Sequence, residues 1–79
     1  HADVRRMLLT MKTLTQAARG VAYSVAASMD VAAHAPDPAV RAASQARAEL
    51  LTPVVKAWCT EVGIEVSSLA VQTLGGMGY

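Results

Sequence analysis

The sequence predicts an all-α protein built as an antiparallel hairpin of two long helices. Three observations predict it. Apolar residues recur at spacings of three and four along most of the chain, as one face of an α-helix requires. No stretch shows the period-two alternation of a half-buried strand, and no repeat of solenoid length is present. One proline-rich interruption, His34-Ala35-Pro36-Asp37-Pro38, divides the chain, and a short connector between long helices implies antiparallel neighbours.

The first helix is expected from about Asp3 to Ala33. Val4, Met7, Leu8, Met11, Leu14, Ala18, Val21, Val25 and Met29 supply its apolar face. Asp3 in the first turn suits the positive end of the helix dipole, and the alanine-rich interior is a strong helix former. At ~1.5 Å per residue such a helix runs ~45 Å, a length that long bundles use.

The connector is expected over residues 34–37. Pro36 disfavours helix at Ala35, and Asp37 followed by Pro38 makes an N-cap and a first helical position. The second helix then runs from about Pro38 to Leu74. Its first half carries Val40, Ala43, Ala46 and Leu50. Pro53 sits where it either kinks one continuous helix or breaks it after Thr52; the lack of glycine, asparagine or a polar cluster nearby favours the kink. Beyond it, Val54, Trp58, Val62, Val66, Leu69 and Thr73 form one stripe and Ala57, Ile64 and Val71 another. A helix apolar on two sides needs two neighbours. Small residues recur at helical spacing as well, Ala17, Gly20, Ser24 and Ala27 in the first helix and Cys59, Gly63, Ser67 and Ala70 in the second. Glycine is unfavourable in a helix interior, so Gly20 and Gly63 point to close approach of a neighbouring backbone or of a large side chain such as Trp58.

Composition bounds the role. A chain of 79 residues holds one small domain, yet 53% of it is hydrophobic and only 16% charged, more apolar than a lone small domain hides comfortably. Self-association through helical faces, or membership of something larger, is therefore expected. The net charge of +1 supplies no basic stripe, so nucleic acid is not an expected partner. No apolar run approaches the ~20 residues of a membrane span, and neither helix sets a cationic face against a bulky apolar one, so no membrane partner is expected. The first residues do not resemble a signal peptide. Cys59 is the single cysteine; it reads as a small buried hydrophobe, excludes an intrachain disulfide and fits a reducing compartment, with the cytoplasm as the expected location.

Candidate catalytic groups are few. His1 and His34 lack metal-spaced partners and fit exposed or capping roles. Glu61 and Glu65 share a helix face with Lys56, which reads as a charged outer surface. Cys59 has no adjacent base, and Ser67 and Ser68 lack a nucleophile-elbow context. No metal site and no catalytic residue is expected in this chain.

The informative stretch is the last one, Gln72-Thr73-Leu74-Gly75-Gly76-Met77-Gly78-Tyr79. Three glycines in four positions end the helix near Leu74, with Gly75 or Gly76 in a left-handed cap and a glycine turn over residues 75–79. A phosphate-cradling loop would need its glycines before a helix, where the dipole is positive; here they follow one. Backbone N–H groups of a turn and the Gln72 amide could still line a contact.

The same residues resemble the Gln-x-x-Gly-Gly-x-Gly-Tyr signature in the C-terminal helical domain of the acyl-CoA dehydrogenase family. Leu51 to Cys59 is similar to the family's Ala-Lys-containing helix, and Asp3 to Lys12 with Ala17-Ala18-Arg19 to the helix before it. The variants are nearest to the larger bacterial branch that includes 3-methylmercaptopropionyl-CoA dehydrogenases. The resemblance covers all 79 residues and implies part of a C-terminal four-helix-bundle domain. It implies an oxidoreductase of fatty acid metabolism that carries out α,β-dehydrogenation of an acyl-CoA, with FAD as cofactor and an electron-transfer acceptor as partner. It further implies that Gln72, Thr73, Leu74, Gly75 and Gly76 contact the ADP part of FAD held mainly by a neighbouring subunit, which removes the polarity objection. The family's catalytic glutamate commonly lies in a later Tyr-Glu-Gly-Thr stretch absent from these residues. The chain alone is therefore expected to be inactive and not to retain FAD. The alternative from the residues themselves is a stand-alone hairpin for oligomerisation, its glycines only capping a helix.

Overall fold

The structure is a computed structural model that describes residues 1–78. Its element order is α1 (Ala2–His34), α2 (Pro38–Leu74) and a 3-10 turn (Gly75–Met77). The all-α expectation holds: two helices of 33 and 37 residues pack side by side, with no strand among the described residues. Tyr79, the last residue of the expected glycine turn, lies outside the described residues.

Local chemistry sets the boundaries. His1 caps α1, its Nδ1 accepting from the Asp3 N–H at 3.1 Å. At the other end Ala35 is extended (φ −62, ψ 138), as a residue before proline prefers, while its N–H still donates to the Val31 carbonyl at 2.9 Å. His34 Nδ1 pairs with the Asp30 carbonyl at 3.1 Å, so both histidines serve helix ends. Asp37 caps α2 by accepting from the Ala39 N–H at 2.9 Å, with Pro38 in the first turn. Arg41 reaches back to the Ala35 and Pro36 carbonyls at 2.7 and 3.1 Å and closes the connector.

α2 runs through Pro53 without a break. Proline has no N–H, so the Glu49 carbonyl loses its helical donor there. The preceding Thr52 hydroxyl donates to the Ala48 carbonyl at 2.6 Å, a local bond of the kind that accompanies helix bending.

The seam between the helices is narrower than the apolar pattern suggests, and in places it runs along a different face. Met7, Val25 and Ser28 of α1 and Ala48 and Val62 of α2 are the buried residues among those described. Met11, Leu14, Ala18 and Ala22 continue the α1 side half-buried, and Leu51, Val55, Trp58, Cys59, Val66 and Leu69 continue the α2 side. Leu8, Val21 and Met29, expected on the inner face, are exposed, as are Val40, Leu50 and Val54. Near the connector the α2 seam is Arg41, Ser44 and Ala48 rather than Val40, Ala43 and Ala46. Polar bonding explains the difference. Arg47 donates to the Ser24 hydroxyl at 2.9 Å, to the Ser24 carbonyl at 3.3 Å and to the Ser28 hydroxyl, which in turn donates to the Ser24 carbonyl at 3.3 Å. An arginine clamp joins the helices where apolar periodicity points to aliphatic packing.

The expected close approaches at Gly20 and Gly63 are not made within the chain. A Cβ built at either position meets nothing within 4 Å. Both glycines are exposed, Gly63 at the edge of a shallow groove that Ala18 and Ala22 of α1 also line.

Candidate functional site at the end of the second helix

The antiparallel packing brings the start of α1 beside the end of α2. Met7, 5% exposed, places its sulfur 3.9 Å from the Thr73 hydroxyl. Thr73 also donates to the Leu69 carbonyl at 2.9 Å. Thr73 therefore faces α1, while Gln72 and Leu74 on either side of it are exposed. Their separation follows from the ~100° that each residue turns in a helix.

Gly75 ends α2 with φ 60 and ψ −132, and its N–H donates to the Gln72 and Val71 carbonyls. The positive φ is the feature the glycine run predicts, but the ψ value lies outside the left-handed α region, so the cap is not the expected left-handed one. The chain then folds back. Gly78 donates to the Gly75 carbonyl at 2.9 Å and sits against Val71, where a Cβ would lie 2.7 Å from the Val71 carbonyl oxygen and 3.2 Å from Leu74 Cβ. Val71, on the second apolar stripe of α2, supplies the backbone against which the turn sits.

The three glycines thus differ in kind. Backbone angle requires Gly75 and close approach requires Gly78, whereas Gly76 has neither a positive φ nor any atom within 4 Å of a built Cβ. The Gln72 side chain forms no hydrogen bond among the described residues. Among the described residues, the tip of α2 offers an exposed amide without a hydrogen-bond partner, the exposed Leu74 and an open glycine. Among five residues proposed as one contact, Gln72, Leu74 and Gly76 face outward, Gly75 supplies the bend and Thr73 is turned to α1.

The other candidate groups remain apart. Glu61 and Glu65 are exposed and unpaired among the described residues, whose single ion pair joins Arg6 and Asp3 at 3.0 Å on the surface. Cys59 is a free, half-buried thiol on the seam. No cluster of metal-ligating side chains occurs among the described residues. No described helix is long and apolar enough to cross a membrane. Among the described residues no carboxylate is brought together with a histidine or cysteine as an acid–base pair. Sequence reasoning missed Met7 as a neighbour of Thr73, because a contact between the two helices' ends depends on hairpin register, which no local motif encodes.

Comparison with known proteins gives this hairpin its family. A profile of the acyl-CoA dehydrogenase C-terminal domain matches residues 1–79. The chain belongs to the acyl-CoA dehydrogenase family, within its C-terminal domain. It is 51% identical over 79 residues to a 3-methylmercaptopropionyl-CoA dehydrogenase of Ruegeria pomeroyi, covering 100% of this chain and 13% of that protein. Two butyryl-CoA dehydrogenases of Syntrophomonas wolfei are 34% and 30% identical over the same 79 residues, again covering 100% of this chain and 13% of each. The chain thus spans 13% of the length of these curated relatives. No solved structure matches it significantly.

Proposed function

We propose that this chain is part of an FAD-dependent acyl-CoA dehydrogenase and that its role there is to touch the cofactor and pack the helical bundle. The observation that carries the reading is that, among the described residues, the exposed Gln72 amide has no hydrogen-bond partner and Gly76, four residues on, has open space around it at the tip of α2. An amide supplies two donors and an acceptor for a sugar, phosphate or base edge, and a residue without Cβ lets a ligand approach the backbone. Gly75 adds the bend between them, and Leu74 and the backbone of Thr73 complete the proposed contact. Among the described residues nothing requires glycine at Gly76, which supports a requirement from outside them.

In this reading FAD sits mainly on a neighbouring subunit and Gln72 to Gly76 lie against its ADP part. Bound FAD supplies the hydride acceptor for the α,β-dehydrogenation of an acyl-CoA thioester, and an electron-transfer acceptor reoxidises the enzyme in fatty acid metabolism. The names of the relatives support an acyl-CoA substrate. The hairpin holds none of the catalytic residues, so the isolated chain is inactive and does not keep the cofactor. It self-associates or packs through its exposed apolar faces as one portion of a larger C-terminal bundle. The proposed location is the cytoplasm, with which the free Cys59 is compatible.

The test is made in the full-length protein. Gln72→Ala combined with Gly76→Val is expected to weaken FAD binding in a flavin-fluorescence titration while leaving helix content intact, since a Cβ at Gly76 has space within the chain. Unchanged FAD affinity in that double variant refutes the contact.

A further inference from the structure

We infer that Met7 is a positioning residue for the Gln72–Gly76 stretch, acting on it from the opposite helix. The inference rests on the proposed flavin contact and names what holds that contact in place. Met7 is the one buried residue in the first half of α1 among those described. Its sulfur lies 3.9 Å from Thr73 Oγ1. Thr73 is the one half-buried side chain of the stretch, because Gln72 and Leu74 are exposed and the remaining two residues are glycines.

Among the described residues, the turn beyond Thr73 is fastened only to the helix it follows. Gly75 donates to Gln72 and Val71, Gly78 to Gly75, and Gly78 sits on Val71. These bonds move with the end of α2 and do not fix it to anything else. A terminal helical turn frays unless packing holds it. Along the seam, the contact between Thr73 and Met7 is the point where this last turn meets a buried residue of α1. Methionine suits the place, since its flexible, polarisable thioether fills irregular space beneath a polar group. Removing it takes the floor from under Thr73 and leaves every bond inside the turn available.

A merely structural role for Met7 is separable from this one, because Val25 is its match in the same seam. Val25 is 6% exposed, also on α1, and lies towards the connector end. Truncation of either residue costs stability, but only Met7 stands beneath the turn.

The experiment uses the full-length protein carrying Met7→Ala, Met7→Leu, Val25→Ala or Gln72→Ala, with amide hydrogen exchange of residues 72–77 and the FAD dissociation constant as readouts. Met7→Ala is expected to speed exchange across residues 72–77 and to weaken FAD about tenfold, less than the ~100-fold that a displacement of about 1 Å can cost a site. Met7→Leu, close in volume, is expected to restore both, and Val25→Ala to alter neither. Equal exchange in the Met7→Ala and Val25→Ala proteins overturns the positioning role. So does unchanged FAD affinity in Met7→Ala when Gln72→Ala weakens it. If Gln72→Ala leaves FAD affinity unchanged, the flavin contact itself fails, and exchange alone then reports whether Met7 holds the turn.

Discussion

At the scale of single residues, the glycines separate into positions the chain itself needs and positions it does not. Gly75→Ala forces a side chain into φ 60, ψ −132 and is expected to cost about 1–3 kcal/mol. Gly78→Ala must displace the Val71 carbonyl that a Cβ meets at 2.7 Å, with a cost of similar order from overpacking, about 1–3 kcal/mol. Gly20→Ala and Gly63→Ala carry the opposite sign. Both lie inside helices with open space around them, so each is expected to stabilise the isolated hairpin by about 1 kcal/mol. Thermal unfolding followed by circular dichroism reads all four. The same two alanine variants made in the full-length protein ask a further question, for loss of stability there would mean that another part of the assembly packs against those faces.

Between the helices, the clamp of Arg47 on Ser24 and Ser28 carries the specificity that aliphatic contacts carry further along. Arg47→Ala is expected to destabilise the hairpin by roughly 1–2 kcal/mol, and Arg47→Lys to restore little, because an ammonium lacks the planar fork that reaches two serines at once. Denaturant titration of the two variants checks this. Pro53→Ala works the other way: it returns a donor to the Glu49 carbonyl and is expected to stabilise α2 by up to ~3 kcal/mol. The helices, their connector and the Asp37-Pro38 start followed from spacing, propensity and capping chemistry. The inner face did not follow near the connector, because Ser24, Ser28, Ser44 and Arg47 make that part of the seam polar, and a search for apolar stripes selects Val40 and Leu50 instead. At the tip of α2, Gln72 and the glycine run were visible as a motif. The inward turn of Thr73 and its neighbour Met7 were not, because both depend on how the two helices align.

As a whole the hairpin is a rod of 56 × 19 × 14 Å with a radius of gyration of 17.4 Å, where a compact domain of this length has about 12 Å. None of the described side chains is fully buried, and large apolar residues such as Leu9, Leu50, Ile64 and Met77 stand 57–92% exposed. Two helices side by side cannot enclose a core, so the excess of hydrophobic composition sits on outer faces. Sedimentation of the isolated 79-residue chain is expected to show self-association at micromolar concentration; a well-folded monomer there would contradict it. The antiparallel arrangement has one more consequence. The Arg47 clamp near the connector and the Met7–Thr73 contact at the open end pin the same pair of helices at two stations, so the lengths of α1 and α2 between those stations are matched. An added or lost residue in one helix rotates everything beyond it by ~100° and shifts it by ~1.5 Å. Viable insertions or deletions are therefore expected in compensating pairs, one in each helix, or in the connector, outside the two stations.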